Sequence, residues 1–143
     1  MNAPLYNTQI LRLAASIPHH DRLPDPMGSA ERRSPICGSR VTVDIDLTDG
    51  RVSAIGMLVR ACALGQASSS LLAAHAVGKT PAELAAARDQ LTAWLAGEGG
   101  APDWPDLDLF TPALGVTARH PSIRLAFEAA AQAAETAAGP VGG

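Results

Sequence analysis

The sequence predicts an α+β fold: a small antiparallel sheet of about three strands with one face packed by helices. Three observations predict it. Residues 40–47 alternate apolar and polar side chains, Asp49-Gly50 follows as a tight-turn dipeptide, and residues 51–60 carry the chain back as a second strand. On either side of this hairpin the apolar spacing changes to three and four residues, the period of a helix. Thr80-Pro81-Ala82-Glu83 then opens a helix with an N-cap, a proline in the first turn and a capping-box glutamate.

In chain order, Tyr6, Ile10, Leu13 and Ile17 share one face of a helix over residues 5–17, which Pro18 ends. Residues 19–35 are rich in proline and read as a long loop with a short edge strand near residues 29–33. The adjacent His19 and His20 read as solvated loop residues. In the first hairpin strand Val41, Val43, Ile45 and Leu47 point to one face, and Thr42, Asp44 and Asp46 to the other. In the return strand Val52, Ala54, Gly56 and Leu58 alternate with Ile55, Met57 and Val59. This predicts a sheet with one face under helices and one partly wet. A second helix spans residues 63–77, with Gly78 as its left-handed C′ residue and His75 on a partly exposed face.

The capped third helix runs to about Ala96 with Leu84, Ala87, Leu91, Trp94 and Leu95 inward. Residues 101–118 form a long connection with Trp104, Leu107, Leu109 and Phe110 directed at the core, and loops of this length tend to be functional or to cap something. A last helix starts near Pro121 and reaches about Thr136. Residues 1–138 thus read as one domain, and 139–143 as a disordered tail.

Composition narrows the function classes. Apolar residues make up 47% of 143, but 28 are alanine and only five residues are aromatic, so the core is thin and helices approach closely. A net charge of −3 argues against a general nucleic-acid binder. No apolar run reaches the roughly 20 residues that span a bilayer. The start, Met1-Asn2-Ala3-Pro4, lacks a secretory pattern, which places the protein in the cytoplasm. No G-x-S-x-G or phosphate loop is present, and nothing points to hydrolytic chemistry.

The two cysteines, Cys37 and Cys62, stand at the ends of the hairpin. In a reducing compartment such a pair reads as a metal or thiol site rather than a disulfide. Two cysteines 25 residues apart are by themselves a weak metal signal, because structural zinc sites use four ligands, commonly in close pairs. A thiolate at a helix N-terminus gains from the N–H groups there, and Cys62 takes that position. On this ground alone Cys62 is equally a buried small residue or a reactive thiol. The run Ala67-Ser68-Ser69-Ser70 beyond it suits close contact with a backbone, ion or partner.

The chain resembles the U-type iron–sulfur cluster scaffold family (IscU, SufU and the N-terminal domain of NifU). The residues that carry the resemblance are Leu5-Tyr6, Pro35-Ile36-Cys37-Gly38, Arg60-Ala61-Cys62-Ala63, Ala67-Ser68-Ser69-Ser70-Leu71 and Val77-Gly78-Lys79-Thr80, in order and spacing over residues 4–97. The connection at 101–118 resembles that of the SufU branch. Ser122-Ile123-Arg124-Leu125-Ala126-Phe127 resembles the segment holding the family's third cysteine. The resemblance implies a SufE/NifU-like fold and a scaffold that is not an enzyme. It also implies sulfur received from a cysteine desulfurase, and iron, a transient iron–sulfur cluster or zinc bound before transfer to acceptor proteins.

Two positions depart from the family pattern. Ser39 replaces the aspartate that follows the first Cys-Gly pair, and Ser122 replaces the third cysteine. Cys37 and Cys62 remain as metal ligands, with His120 as a substitute third. A neutral serine hydroxyl is a poor ligand beside a thiolate. The resemblance therefore leaves open two other roles: a degenerate binding or regulatory partner of the desulfurase, and a thiol-based sulfur carrier with Cys62 as acceptor.

Overall fold

The structure, a computed structural model, describes residues 7–34 and 38–139. Helix α1 (Thr8–Ala15) leads into a three-stranded antiparallel sheet, β1 (Gly28–Arg33), β2 (Arg40–Thr48) and β3 (Arg51–Arg60), in the order β1-β2-β3. Helices α2 (Ala63–His75), α3 (Pro81–Leu95) and α4 (His120–Ala138) follow, with two 3-10 turns at Leu107–Ala113 and Thr117–Arg119 in the long connection. The α+β expectation holds.

The local reasons are those of the sequence. Asn7 caps α1 by accepting from the Ile10 N–H at 2.9 Å. Asp49 and Gly50 both take positive φ, 54° and 77°, the two-residue turn that matches strand twist. The capping box of α3 is complete: Thr80 Oγ1 accepts from the Glu83 N–H, and Glu83 accepts from the Thr80 N–H. Two helices stop early. Helix α1 ends at Ala15, before Pro18, and α2 ends at His75, leaving Val77 exposed beside the left-handed Gly78. The Leu5-Tyr6 pair and the tail from Pro140 onward lie outside the described residues.

Helix α4 crosses β1 and β2, α2 packs beside it, α3 lies on α4, and α1 lies on α2. Val41, Val43, Ile45 and Met57 are fully buried beneath this layer. Eleven residues of α4 are buried, six of them alanines, and small side chains let it approach both the sheet and α3. The connection at 101–118 plugs one side of the core. Trp104 donates from Nε1 to the Leu71 carbonyl at 2.8 Å and meets Phe127 edge-on at 5.2 Å. His75 is half-buried as the last residue of α2, edge-on to the same indole.

The second face is partly wet, as the alternation predicts, with Ser29, Glu31, Arg33 and Arg60 exposed on it, but its middle is covered. Thr42 and Asp44 are buried, Asp44 completely. The cover is the loop after α1, which crosses Gly56, the cross-strand neighbour of Asp44. A Cβ on Gly56 would lie 2.4 Å from the Asp21 carbonyl oxygen and 2.8 Å from the Leu23 nitrogen, so only glycine admits the crossing. Asp44 holds the loop down. It accepts from Arg22 Nε (2.6 Å), Arg22 Nη2 (3.0 Å), Ser29 Oγ (2.6 Å) and the Leu23 N–H (3.1 Å). Alternation signals burial on one face only, and it cannot register a loop that covers the middle of the other.

A bulge between Asp46 and Leu47 also changes the expected faces. Asp46 pairs with Ala54 but Leu47 pairs with Val52, so Ser53 is the extra residue. Val52 therefore shares the side of Leu47 and enters the core, instead of lying with Gly56 and Leu58.

Two outcomes follow for stability. Gly56→Ala should cost about 1–3 kcal/mol in urea unfolding, because the blocking atoms are backbone. Burial alone would raise the Asp44 carboxyl, but its hydrogen bonds from Arg22, Ser29 and Leu23 outweigh that and hold it below the usual range. Its contribution is complete above the unfolded carboxyl value of about 4 and is lost as pH falls through the lower folded value. Thermal unfolding between pH 7 and 3 should accordingly fall more steeply in the native protein than in Asp44→Asn.

Candidate functional site

Strand β3 ends at Arg60, and two residues later Cys62 is the N-cap of α2, with extended backbone (φ −67°, ψ 172°). Its carbonyl accepts the first helical bond, from the Gln66 N–H at 2.9 Å, while its side chain makes no capping bond. The half-buried thiol is thus left available at a helix start. Sequence placed Cys62 correctly.

The small residues that follow have a definite partner. A Cβ on Gly65 would lie 2.7 Å from the Ala61 Cβ and 3.2 Å from the Ser122 carbonyl oxygen. Ser68 Oγ donates to the Ile123 carbonyl at 2.6 Å, and Ser69 Oγ donates to the Gly65 carbonyl at 2.8 Å. The first turns of α2 and α4 are in contact through these atoms. Of the partners that the small surface suits, the backbone of α4 is the one present.

Between β1 and β2 the chain closes a short loop. The Ser34 N–H donates to the Ser39 carbonyl at 2.9 Å, and the Gly38 N–H to the Ser34 carbonyl at 3.1 Å. Cys37 belongs to this loop by sequence but lies outside the described residues. Ser39 and Ser122, distant in sequence, meet: their Oγ atoms are 3.4 Å apart and both side chains are buried. Two ligands of one tetrahedral zinc or iron, with bonds of about 2.0–2.3 Å, stand about 3.5 Å apart. The serine hydroxyls thus stand at a ligand-to-ligand distance from each other.

His120 is the first residue of α4, buried and not the solvated residue that its place at a helix start would suggest. Its Nε2 lies 2.8 Å from the Ala113 carbonyl. A carbonyl only accepts, so Nε2 is the donor, and in the neutral ring Nδ1 holds the free lone pair. A ring that swung out to offer Nε2 would break this bond. Among the described residues no group of three or more His, Cys, Asp or Glu side chains converges.

One feature escaped the sequence reading. Arg33, Arg40 and Arg60 are cross-strand neighbours in register at the end of the sheet beside the Ser34–Ser39 loop. The strand periods alone do not give this row, since it depends on how β1 pairs with β2.

No family model and no curated protein matches the chain. Among solved structures, the N-terminal part of a nitrogen-fixing NifU-like protein from Brucella abortus superposes with a TM-score of 0.89 at 39% identity, covering 94% of each chain. The chain belongs to the NifU-like, U-type iron–sulfur scaffold family. A U-type fold also unites it with a SUF-system protein from Fervidobacterium islandicum, described as a candidate cluster assembly scaffold. That match has a TM-score of 0.84, 17% identity and coverage of 91% and 96%. At that identity the likeness concerns the fold alone. The resemblance set out from the sequence implies an aspartate at the place of Ser39 and a cysteine at that of Ser122. Restoring both in Ser39→Asp/Ser122→Cys should therefore raise the iron retained after anaerobic reconstitution and desalting by about tenfold or more, measured by iron and acid-labile sulfide content.

Proposed function

We propose that this protein works in iron–sulfur cluster assembly as a scaffold-like member of its family, without enzymatic activity of its own. It receives sulfur from a cysteine desulfurase and holds iron or a nascent cluster, as cargo, through Cys37 and Cys62 with His120 in support through Nδ1. The observation that carries the reading is the site at the α2 N-terminus: an uncapped, half-buried Cys62 in a chain 39% identical to a NifU-like protein. Zinc has no support from these relatives.

The sulfur step needs only one thiolate. The Cys62 thiolate attacks the outer sulfur of a desulfurase persulfide, the donor S–S bond breaks, and the donor cysteine leaves as a thiolate. Electrons balance, since one S–S bond forms as another is lost. Cluster holding asks for more donors than the two serines supply, so the cargo is held less tightly than by three cysteines and an aspartate. The Ser39–Ser122 contact favours the sulfur-carrier reading as the second choice, because it leaves Cys62 chemistry intact while weakening metal binding.

Anaerobic reconstitution with ferrous iron and sulfide should give a visible cluster absorbance that is lost in Cys37→Ala and in Cys62→Ala. Absence of iron and of that absorbance in the native protein would remove the scaffold role. Incubation with a desulfurase and cysteine, followed by mass spectrometry, should add one sulfur to Cys62. A cluster-free protein that gains this sulfur is a carrier, and one that gains none but still retains the desulfurase is a docking partner.

A further inference from the structure

Arg33, Arg40 and Arg60 lie side by side across the three strands: Arg33 pairs with Arg40, and Arg40 with Arg60. Directly paired residues point to one face, here the face of Thr42 and Asp44, opposite the helices. The loop that covers this face crosses Gly56 and leaves the arginine end open. With strands about 4.8 Å apart, the row spans about 10 Å of backbone.

Its charge is only partly answered. Glu31, on the same face, lies 2.9 Å from Arg33 Nε and 3.7 Å from Arg40 Nε. Arg60 is exposed and has no ion pair among the described residues. Three positive charges against one negative leave a local excess of two on a chain whose net charge is −3. Together with Ser34 and Gly38 the arginines line an open depression beside the loop that carries Cys37 in sequence.

We propose that this arginine row is a docking surface for an acidic, extended segment of a partner protein. The described lining is three arginines, a serine and a glycine, without the apolar and aromatic walls typical of a small-ligand pocket, whereas carboxylates spaced along a peptide can each meet a guanidinium fork. A nucleic acid fits less well, because the rest of the chain is acidic and none of the described lining residues is an aromatic on which bases stack. The proposal does not depend on whether the protein holds a cluster. It adds a surface that brings an acidic partner beside the thiol site.

The test uses metal-free protein and a fluorescein-labelled peptide of eight glutamates, read by anisotropy at low salt. Binding should weaken about threefold to tenfold in Arg60→Glu, disappear in Arg33→Ala/Arg40→Ala/Arg60→Ala, and fade as salt is raised. Arg12→Glu, the same charge change on the exposed side of α1, should leave it unaltered. If a thermal melt shows Arg60→Glu to be unfolded, Arg60→Gln takes its place, with a smaller loss expected. No peptide binding, equal binding by the arginine variants, an equal loss in Arg12→Glu, or tighter binding of an eight-nucleotide single-stranded DNA would each overturn the proposal.

Discussion

The close approach of α4 to α2 is the constraint on which the site depends. Gly65 has no side chain, so the Ser122 carbonyl can come within contact of the first turn of α2. Ser68 then locks the approach through the Ile123 carbonyl. With a larger residue at position 65, the start of α4 would be pushed away. Ser122 would then no longer reach Ser39, and the corner that the hairpin and the two helices share would open.

A second constraint works from the opposite side of the sheet. Asp44 is a buried carboxylate with four hydrogen bonds, three of which bind the loop across Gly56 to the middle strand. Buried charges are costly unless fully paired, and here the pairing is complete enough to hold the carboxyl ionised. Around Thr42, Asp44 and Gly56 the sheet is thereby covered on both faces. The cationic strip beside the site stays open.

Much of this was legible in the residues. The Asp49-Gly50 hairpin, the capping box at Thr80 and the small-residue run after Cys62 are local signals, and each became the element it announced. The helix ends after α1 and α2 were overestimated because apolar spacing continued past the last helical bond. What stayed hidden was non-local. The lid over Asp44, the bulge that sends Val52 inward, and the arginine row all require knowing which strand or loop lies beside which. The meeting of Ser39 and Ser122 is the clearest case. Family likeness gave each position a role, but only the packing of α4 brought them to 3.4 Å.

Helix α4 also bears on how the chain reaches its native state. It supplies the cover for β1 and β2, yet it comes after two other helices and a long connection in sequence. The hairpin can form early from local contacts, but Val41, Val43 and Ile45 stay open to water until this distant helix docks. Contacts of such long sequence separation form late, after the entropy of closing a large loop has been overcome. A half-folded species would therefore present a bare apolar sheet with the corner beside Cys62 unfinished, at risk of self-association. The serine contact would be among the last features to appear.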